Sequence, residues 1–427
     1  MNLKEINVGQ KVKLHTKKGD FECRILESSR KDILLVKLNS GYNIGIREED
    51  VLDLKIIKEK EIEEKEKEVK SKKDLPNIAM VITGGTISSK LDSKTGAVKW
   101  LTKPEELLKF YPEILEITNV SKIEVPFMKA SEDMDSKDWE IISEVVAKFV
   151  NDSKIDGVIV THGTDFLHYT ASALAFSLGN LGKPVVLTYS QRSSDRASSD
   201  ARLNLICSAK MAISDVAEVM LVGHGTNNDD YCLAIPATKS RKMHTSRRDT
   251  FRPINSRAIA KIYSDKIEMI GTYNPRDNKK KVELKNDFSN KVALVKFYPG
   301  QDSDILDYYF STGYKGIVIE VSGLGHVAVE GKNSWMPKIK KIIKSGVVVC
   351  AVPQTLYGKL DPLVYSNGRE FEKSGAIFLE DMLPETAFVK LSWILGDSKM
   401  KKNVKENMLK NFVREISEKL GEDEFLN

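Results

Sequence analysis

Two short segments of the chain each place a threonine directly after a glycine. They are residues 81–87, VITGGTI, and residues 160–165, VTHGTD, and each opens on an apolar run. Such a run leading into glycine is typical of a buried parallel strand that ends in a sharp turn. The turn presents the next side chain, Thr86 or Thr164, at the carboxyl edge of the sheet. Because a hydroxyl placed there can attack a carbonyl, the pair predicts an amide-cleaving site.

A threonine hydroxyl needs activation before it can act as a nucleophile. Its proton is held too tightly at neutral pH, so a base or a cation must be supplied by the surrounding structure. Asp165, which follows Thr164, is one candidate. Lysine is the other residue type to look for, and the segment 236–246, PATKSRKMHTS, contains several.

These segments resemble the asparaginase/glutaminase amidohydrolase family, whose two threonine signatures have the form TGGTI and HGTD. The likeness spans roughly residues 76–400, and three further segments fit the family in its order. They are Ser131 with Glu132, similar to its substrate-clamping pair, Arg192 with Ser199 and Asp200, similar to its structural loop, and residues 242–246, KMHTS, similar to the segment with its catalytic lysine.

The resemblance implies catalytic roles for four side chains: Thr86, Thr164, Asp165 and Lys242. Thr86 is expected to attack the side-chain amide of a bound glutamine, which gives an acyl-enzyme ester and releases ammonia. Lys242, partly desolvated beside Asp165, would help to draw the proton from Thr164. Thr164 would then activate the water or a hydroxyl.

The same resemblance implies how the substrate is held. Ser131, Glu132 and Asp165 are suited to bind its α-amino and α-carboxylate groups. Backbone N–H groups around Gly85, Thr86 and Gly163 can donate to the developing oxyanion, an interaction typically worth about 3 kcal/mol of barrier. No metal is expected at this site.

The segment after the first signature departs from the family. Many members place a tyrosine in this mobile lid, whereas residues 88–97, SSKLDSKTGA, contain none. Three explanations for the activation of Thr86 remain open. A residue from elsewhere acts on it, the lid closes only when a partner or tRNA is present, or Thr164 is the true nucleophile.

Within the family, the closer resemblance is to the glutaminase subunits of archaeal glutamyl-tRNA(Gln) amidotransferases. A small β-rich unit precedes the amidohydrolase, residues 242–249 are basic, and a charged tail follows the last domain. The resemblance implies that ammonia passes to an E-type partner subunit, which uses ATP and Mg²⁺ to convert Glu-tRNA(Gln) to Gln-tRNA(Gln). No cofactor is expected in this chain. The segment 323–326, GLGH, is similar to a family loop that closes a neighbouring subunit's site, which implies a homodimer core within a heterotetramer.

Two other functional classes stay open on the sequence alone. One is a free-standing cytoplasmic L-asparaginase, for which the N-terminal unit has no obvious use. The other is a catalytically silent assembly or tRNA-binding module, which the complete set of threonine, aspartate and lysine residues argues against. Arg241, Arg247 and Arg248 either contact phosphate or pair with neighbouring acids.

Composition limits the alternatives. The chain has 427 residues and a net charge of +5 from 66 basic and 61 acidic side chains, so it is not a polycation that binds nucleic acid nonspecifically. It has no apolar run of about 18 residues and no apolar signal-peptide core, which favours the cytoplasm and no membrane. The four cysteines are scattered without CxxC spacing, which argues against a zinc site or a disulfide framework.

The fold class expected is α/β. Five short β runs in about fifty residues favour a small N-terminal SH3-like barrel. From residue 78, apolar β runs alternate with amphipathic helical stretches, so a two-domain asparaginase-like α/β fold with parallel sheets is expected to follow. Helices are predicted over residues 136–149 and 169–178 and, for the most part, over 384–421. The predicted units are the barrel (1–56), a charged linker (57–75), an α/β domain with the active site (76–288), a smaller α/β domain (289–400) and a charged helical tail (401–427).

Overall fold

The structure is a computed structural model that describes most of the chain. The described residues are 7–40, 42–57, 72, 74–91, 98–100, 105–194, 196 and 198–425. Most of the predicted linker and residues 92–97 of the predicted lid lie outside these ranges. Within them, no helix is both long enough and apolar enough to cross a membrane.

The N-terminal unit is one five-stranded antiparallel sheet. Its strands are β1 (Lys11–Thr16), β2 (Gly19–Ile25), β3 (Ile33–Leu38), β4 (Asn43–Arg47) and β5 (Val51–Ile56), in the order β4-β3-β2-β1-β5. In β1, Val12 and Leu14 are buried while Lys13 and His15 are exposed, the alternation of a strand with one face on a core. The predicted five strands are confirmed, and closure of the sheet into a barrel stays a prediction.

The larger domain is built around an eight-stranded sheet. Its strands and those of two small hairpins are β6 (Asn77–Ile82), β7 (Ser89–Leu91), β8 (Val98–Trp100), β9 (Asn119–Glu124), β10 (Gly157–Thr161), β11 (Val185–Thr188), β12 (Val219–His224), β13 (Cys232–Pro236), β14 (Ser240–Lys242), β15 (Phe251–Pro253), β16 (Ala260–Ile262) and β17 (Ile267–Met269). The sheet order is β17-β16-β13-β12-β11-β10-β6-β9.

This sheet is mixed, so the prediction of parallel sheets was wrong for its outer part. Strands β9, β6, β10, β11 and β12 are parallel, whereas β13, β16 and β17 pair antiparallel. The short connection 225–231 between β12 and β13 explains the change, because a parallel neighbour needs a crossover of a dozen or more residues. The parallel part holds both threonine signatures.

Helices cover both faces of the larger sheet, as predicted. They are α1 (Glu105–Phe110), α2 (Ile114–Ile117), α3 (Ser136–Val150), α4 (Leu167–Leu178) and α5 (Ala201–Ala212). Along β6, Ala79 and Val81 join the core under α3 and α4, while Ile78 and Met80 join the core under α2 and α5. Asp135 begins α3 with a capping box that pairs it with Asp138.

The smaller domain is a four-stranded parallel sheet with its own helices. Its elements are β18 (Val292–Lys296), β19 (Gly316–Val321), β20 (Val348–Pro353), β21 (Ile377–Phe378), α6 (Asp304–Ser311), α7 (Met336–Lys344), α8 (Ser366–Lys373), α9 (Pro384–Gly396) and α10 (Val404–Leu409), with strand order β18-β19-β20-β21. Helix α9 joins the two domains, since Trp393 stacks on Phe176 of α4 with ring centroids 5.4 Å apart. A residue on α9 can therefore reach the larger domain.

The predicted helix over residues 384–421 is correct only in part. Helices α9 and α10 form, but residues 410–421 form no helix, so the predicted helical tail is wrong there. The fully buried Glu415 carboxylate pairs with Lys390 at 2.7 Å and accepts the backbone N–H groups of Phe412 and Val413. A side chain that bonds its own backbone in this way competes with the helix.

Candidate active site

The two threonine signatures meet at the carboxyl edge of adjacent strands. Strands β6 and β10 are parallel neighbours, with Ile82 opposite Thr161. Beyond them the backbones of the two loops come close, since a Cβ added at Gly85 would overlap the Gly163 nitrogen. Gly85 also has φ +80°, so glycine is required there by both contact and conformation. The close approach brings Thr86 beside the loop that carries Thr164.

Thr86 is the first residue of a single 3₁₀ turn, Thr86–Ser88, and hydrogen bonds hold the backbone of this turn in place. The buried Ser88 hydroxyl lies 3.2 Å from the Thr161 hydroxyl of β10. Ser89 Oγ donates to the Thr86 carbonyl at 2.7 Å. The Thr86 side chain is partly exposed, so its hydroxyl stands on a firmly held backbone at the edge of the site.

The best-defined group of the site joins Lys242, Thr164 and Asp165. Lys242 Nζ, at the end of β14, donates to Thr164 Oγ1 at 2.9 Å and to Asp165 Oδ1 at 2.7 Å. Thr164 is buried, the Lys242 side chain is 11% exposed and the Asp165 side chain 61% exposed. The ammonium can thus stabilise negative charge on Thr164 while Asp165 holds it in place.

The predicted clamp lies against the second signature. Ser131 is buried, and a Cβ added at Gly163 would lie 3.1 Å from the Ser131 hydroxyl. That hydroxyl accepts the Phe166 backbone N–H at 3.3 Å and lies 3.4 Å from Glu132 Oε2. Glu132 is exposed, and with Ser131 it lines a cavity of about 610 Å³ between the two domains. The substrate contacts of these residues stay a prediction.

All eight residues predicted for the site therefore fall in one place. Gly85, Gly163, Ser131, Thr164, Asp165 and Lys242 are linked by direct contacts, Thr86 follows Gly85, and Glu132 is joined to Ser131.

His162, inside the second signature, is a structural residue in this arrangement. Its ring is buried, with Nδ1 2.7 Å from the Gly163 carbonyl and Nε2 3.0 Å from the Thr170 hydroxyl. Since a carbonyl only accepts, Nδ1 must carry the proton and Nε2 must accept from Thr170. Burial lowers the pKa of His162 to about 4, so the ring stays neutral at pH 7.

The loop predicted to be structural braces the turn that begins at Thr86. Asp200 accepts the backbone N–H groups of Gln191 and Arg192, and Ser199 Oγ donates to the Arg192 carbonyl. From the same loop, Ser194 Oγ donates to the Ile87 carbonyl at 3.1 Å. The contact reaches the residue that follows Thr86.

The three arginines considered for phosphate contact all pair with acids. Arg247 bonds Asp249 at 2.8 Å and Arg248 bonds Asp229 at 2.9 Å.

Arg241 bonds Glu385 at 2.5 Å, and this contact was missed by the sequence reasoning. Glu385 belongs to α9 of the smaller domain. It is distant in sequence from the segment with Lys242, so no local pattern indicates the contact.

Within the described residues there is also no group of three or more His, Cys, Asp or Glu side chains that would hold a metal ion.

Comparison with known families covers nearly the whole chain. Residues 77–274 match the family described as Asparaginase, N-terminal, and residues 291–408 match the Glutaminase/Asparaginase C-terminal domain. Residues 6–57 match the GatD N-terminal domain.

Individual relatives agree with these matches. The chain is 46% identical to the D subunit of glutamyl-tRNA(Gln) amidotransferase from Thermococcus kodakarensis, over 99% of this chain and 97% of the relative. The corresponding D subunit from Pyrococcus abyssi is also 46% identical, over 97% of this chain and 96% of the relative. Among solved structures, the thermostable L-asparaginase from Thermococcus kodakarensis superposes with a TM-score of 0.70 at 26% identity, covering 80% of this chain and 99% of that chain. With an asparaginase-type site on a chain that matches these relatives over nearly its full length, the protein belongs to the amidohydrolase family of glutamyl-tRNA(Gln) amidotransferase D subunits.

Proposed function

We propose that the chain is the glutaminase subunit of a tRNA-dependent amidotransferase. It hydrolyses the side-chain amide of glutamine and supplies the ammonia to a partner subunit, which converts Glu-tRNA(Gln) to Gln-tRNA(Gln). The observation that carries the proposal is the contact of Lys242 with both Thr164 and Asp165 beside the Thr86 turn. The near full-length match to amidotransferase D subunits favours this function over a free-standing L-asparaginase, because the solved asparaginase leaves about a fifth of the chain unmatched.

The first chemical step is attack of Thr86 Oγ1 on the amide carbon of bound glutamine. The proton of the hydroxyl is relayed to the amide nitrogen, the carbonyl oxygen becomes an oxyanion, and backbone N–H groups of the two glycine loops stabilise it. When the intermediate collapses, the C–N bond breaks and the amide nitrogen, once protonated, departs as ammonia. An ester between Thr86 and the glutamyl group remains.

The second step hydrolyses that ester. Thr164 gives its hydroxyl proton to the Lys242 amine as it takes a proton from the attacking water, so that hydroxide adds to the ester carbon. Collapse returns the proton to Thr86 and releases glutamate. Asp165 holds Lys242 through one oxygen, and its exposed carboxylate also suits the substrate's α-amino group.

The remaining partner assignments extend the same proposal. The partner is an E-type subunit that binds Glu-tRNA(Gln) and uses ATP and Mg²⁺, and this chain itself needs no cofactor. A homodimer of this chain forms the core of a heterotetramer in the cytoplasm. The N-terminal sheet closes into an SH3-like barrel, supported by its strand order and by the single apolar core that its strands share.

Ammonia release tests the function directly. The purified chain is assayed with glutamine and with asparagine, alone and with the partner subunit charged with Glu-tRNA(Gln). Glutamine hydrolysis that is low alone and rises several-fold with the loaded partner is the expected result. Rapid asparagine hydrolysis that ignores partner and tRNA would instead establish an asparaginase.

The identity of the nucleophile has its own test. Thr86→Ala and Thr164→Ala variants are mixed with glutamine and examined by intact-protein mass spectrometry. The Thr164→Ala chain is expected to accumulate a glutamyl adduct on Thr86, since formation of the ester is less impaired than its hydrolysis. An adduct on Thr164 in the Thr86→Ala chain would reverse the assignment.

A further inference from the structure

The segment that carries Lys242 is tied to the smaller domain at several points. Thr386 Oγ1 donates to the Thr238 carbonyl at 2.9 Å. Lys239 Nζ pairs with Asp381 at 2.6 Å, with both side chains buried. The lysine of the active site is thus presented by a segment of the larger domain that the smaller domain holds.

The contact nearest to Lys242 is the ion pair between Arg241 and Glu385. Arg241 Nη1 lies 2.5 Å from Glu385 Oε1, and Glu385 is buried in the first turn of α9. Arg241 and Lys242 are neighbours on β14, so their side chains leave on opposite faces of the strand. On one face of the strand Glu385 holds Arg241, and on the other face Lys242 contacts Thr164.

The surroundings of Glu385 make Arg241 its countercharge. Burial raises the pKa of Glu385, while the charge of Arg241 lowers it. His168 Nε2 lies 4.0 Å from the same oxygen, but burial together with the charges of Arg241 and Lys242 lowers the pKa of His168 to about 3. The imidazole is therefore neutral at pH 7. The negative charge of Glu320 also raises the pKa of both Glu385 and Tyr169.

This arrangement is not optimised for stability. Glu385 Oε2 and His168 Nδ1 are both buried, and neither has a hydrogen-bond partner among the residues that the structure describes. A buried polar atom left unsatisfied costs free energy and calls for an explanation. An explanation is that the Glu385 carboxylate fixes the position of Arg241.

We propose that Glu385 is a positioning residue for the amide-hydrolysing site, acting through Arg241 to keep Lys242 Nζ within hydrogen-bond distance of Thr164 and Asp165. The inference rests on the proposed glutaminase function and deepens it. It makes the smaller domain a contributor to the chemistry of the larger one. Loss of the contact between Glu385 and Arg241 then lowers the activity.

Two variants of the full chain test this role by kinetics. Glu385→Gln keeps the size of the side chain and removes its charge, and Arg241→Gln removes the other partner at a less buried position. Each is expected to lower kcat for glutamine by about 10-fold to 100-fold with KM little changed, because a misplacement of about 1 Å can have that effect on a catalytic group. Since the pair acts as a unit, the double variant should lose no more than the larger single loss.

A second measurement follows Lys242 without any substrate. The chain is treated with formaldehyde and cyanoborohydride, and the methylation of each lysine amine is followed by peptide mass spectrometry. The nearly buried Lys242 amine should be methylated slowly in the parent chain and faster in both variants. If the parent chain fails to hydrolyse glutamine even with the partner subunit charged with Glu-tRNA(Gln), the proposed function is wrong, and the methylation rates still decide the role of Glu385.

The matched control is Asp381→Asn, which breaks the neighbouring ion pair between the same two domains. It should lower the thermal midpoint yet leave kcat and the methylation of Lys242 close to those of the parent. The proposal is overturned if Asp381→Asn matches Glu385→Gln in both measurements, because the effect would then be general loosening. Unchanged kcat and unchanged methylation in Glu385→Gln would overturn it as well.

Discussion

Lys239 and Lys242 lie in one short segment, and each forms an ion pair with an aspartate in different surroundings. Lys239 lies 2.6 Å from Asp381, and Lys242 lies 2.7 Å from Asp165, so the pairs are alike in residue type and distance. Their exposure separates them. The side chains of the first pair are 3% and 0% exposed, and those of the second are 11% and 61% exposed.

The buried pair is part of a hydrogen-bonded network. Lys239 Nζ also donates to Ser417 Oγ at 3.0 Å, and Asp381 Oδ1 accepts the Ser417 backbone N–H at 2.9 Å. Burial lowers the pKa of Lys239, against the raising effect of Asp381. Such a pair fixes one arrangement of the two domains.

The exposed pair keeps a free approach to solvent. Asp165 holds Lys242 with one oxygen, yet more than half of its side chain is open to a substrate. Lys242 also bonds Thr164, so the proposed proton transfer has a direct hydrogen-bonded route. The comparison teaches that solvent access, and not the distance between the charges, separates the lysine proposed for catalysis from the one that ties the two domains together.

The largest expected effect comes from Lys242→Met. Removal of the ammonium should lower kcat for glutamine by about 10³-fold, or roughly 4 kcal/mol of barrier, the usual range for a lost proton-transfer group. The thermal midpoint should change little, because Asp165 is exposed and can be solvated once its partner is lost. Ammonia release and calorimetry measure the two effects. If the variant loses stability but keeps its kcat, Lys242 has a structural role like that of Lys239.

The sequence anticipated the exposed pair better than the buried one. Thr86 and Thr164 follow glycines at the ends of apolar runs, with Asp165 next to Thr164, and such local patterns predict where a side chain leaves a parallel sheet. The lysine at position 242 followed from a family resemblance.

The contacts that hold this lysine were not predictable. The partners of Lys239 and Arg241 are Asp381 and Glu385, which come from the distant α9 region. Their pairing depends on how two domains pack. Residues 410–421 were mispredicted for the same reason, since the turn forms around Glu415 paired with Lys390 in the folded core.

Asp381→Asn is the matched change in the buried pair and has the next largest expected effect. It leaves the Lys239 ammonium buried without its countercharge, which should lower the free energy of unfolding by about 3 kcal/mol. Activity should be largely kept, since Lys242, Thr164 and Asp165 are untouched. Denaturant unfolding with glutaminase assays on the folded fraction measures both. A loss below about 0.5 kcal/mol would show that water reaches the pair and relieves the charge.

The smallest expected effect is from replacing both buried partners, in Lys239→Met with Asp381→Leu. No charge is then left uncompensated, and buried ion pairs exchanged for apolar side chains of similar size are often neutral in stability. One cost remains, because the Ser417 backbone N–H loses its acceptor, while Ser417 Oγ keeps its bond to the Asn255 carbonyl at 3.0 Å. That loss is worth about 1 kcal/mol. The double variant should therefore be more stable than Asp381→Asn alone by about 2 kcal/mol, the difference between about 3 and about 1. Equal stability of the two variants would mean that Lys239 and Asp381 contribute through packing or through Ser417, and the contrast with Lys242 and Asp165 would then rest on function alone.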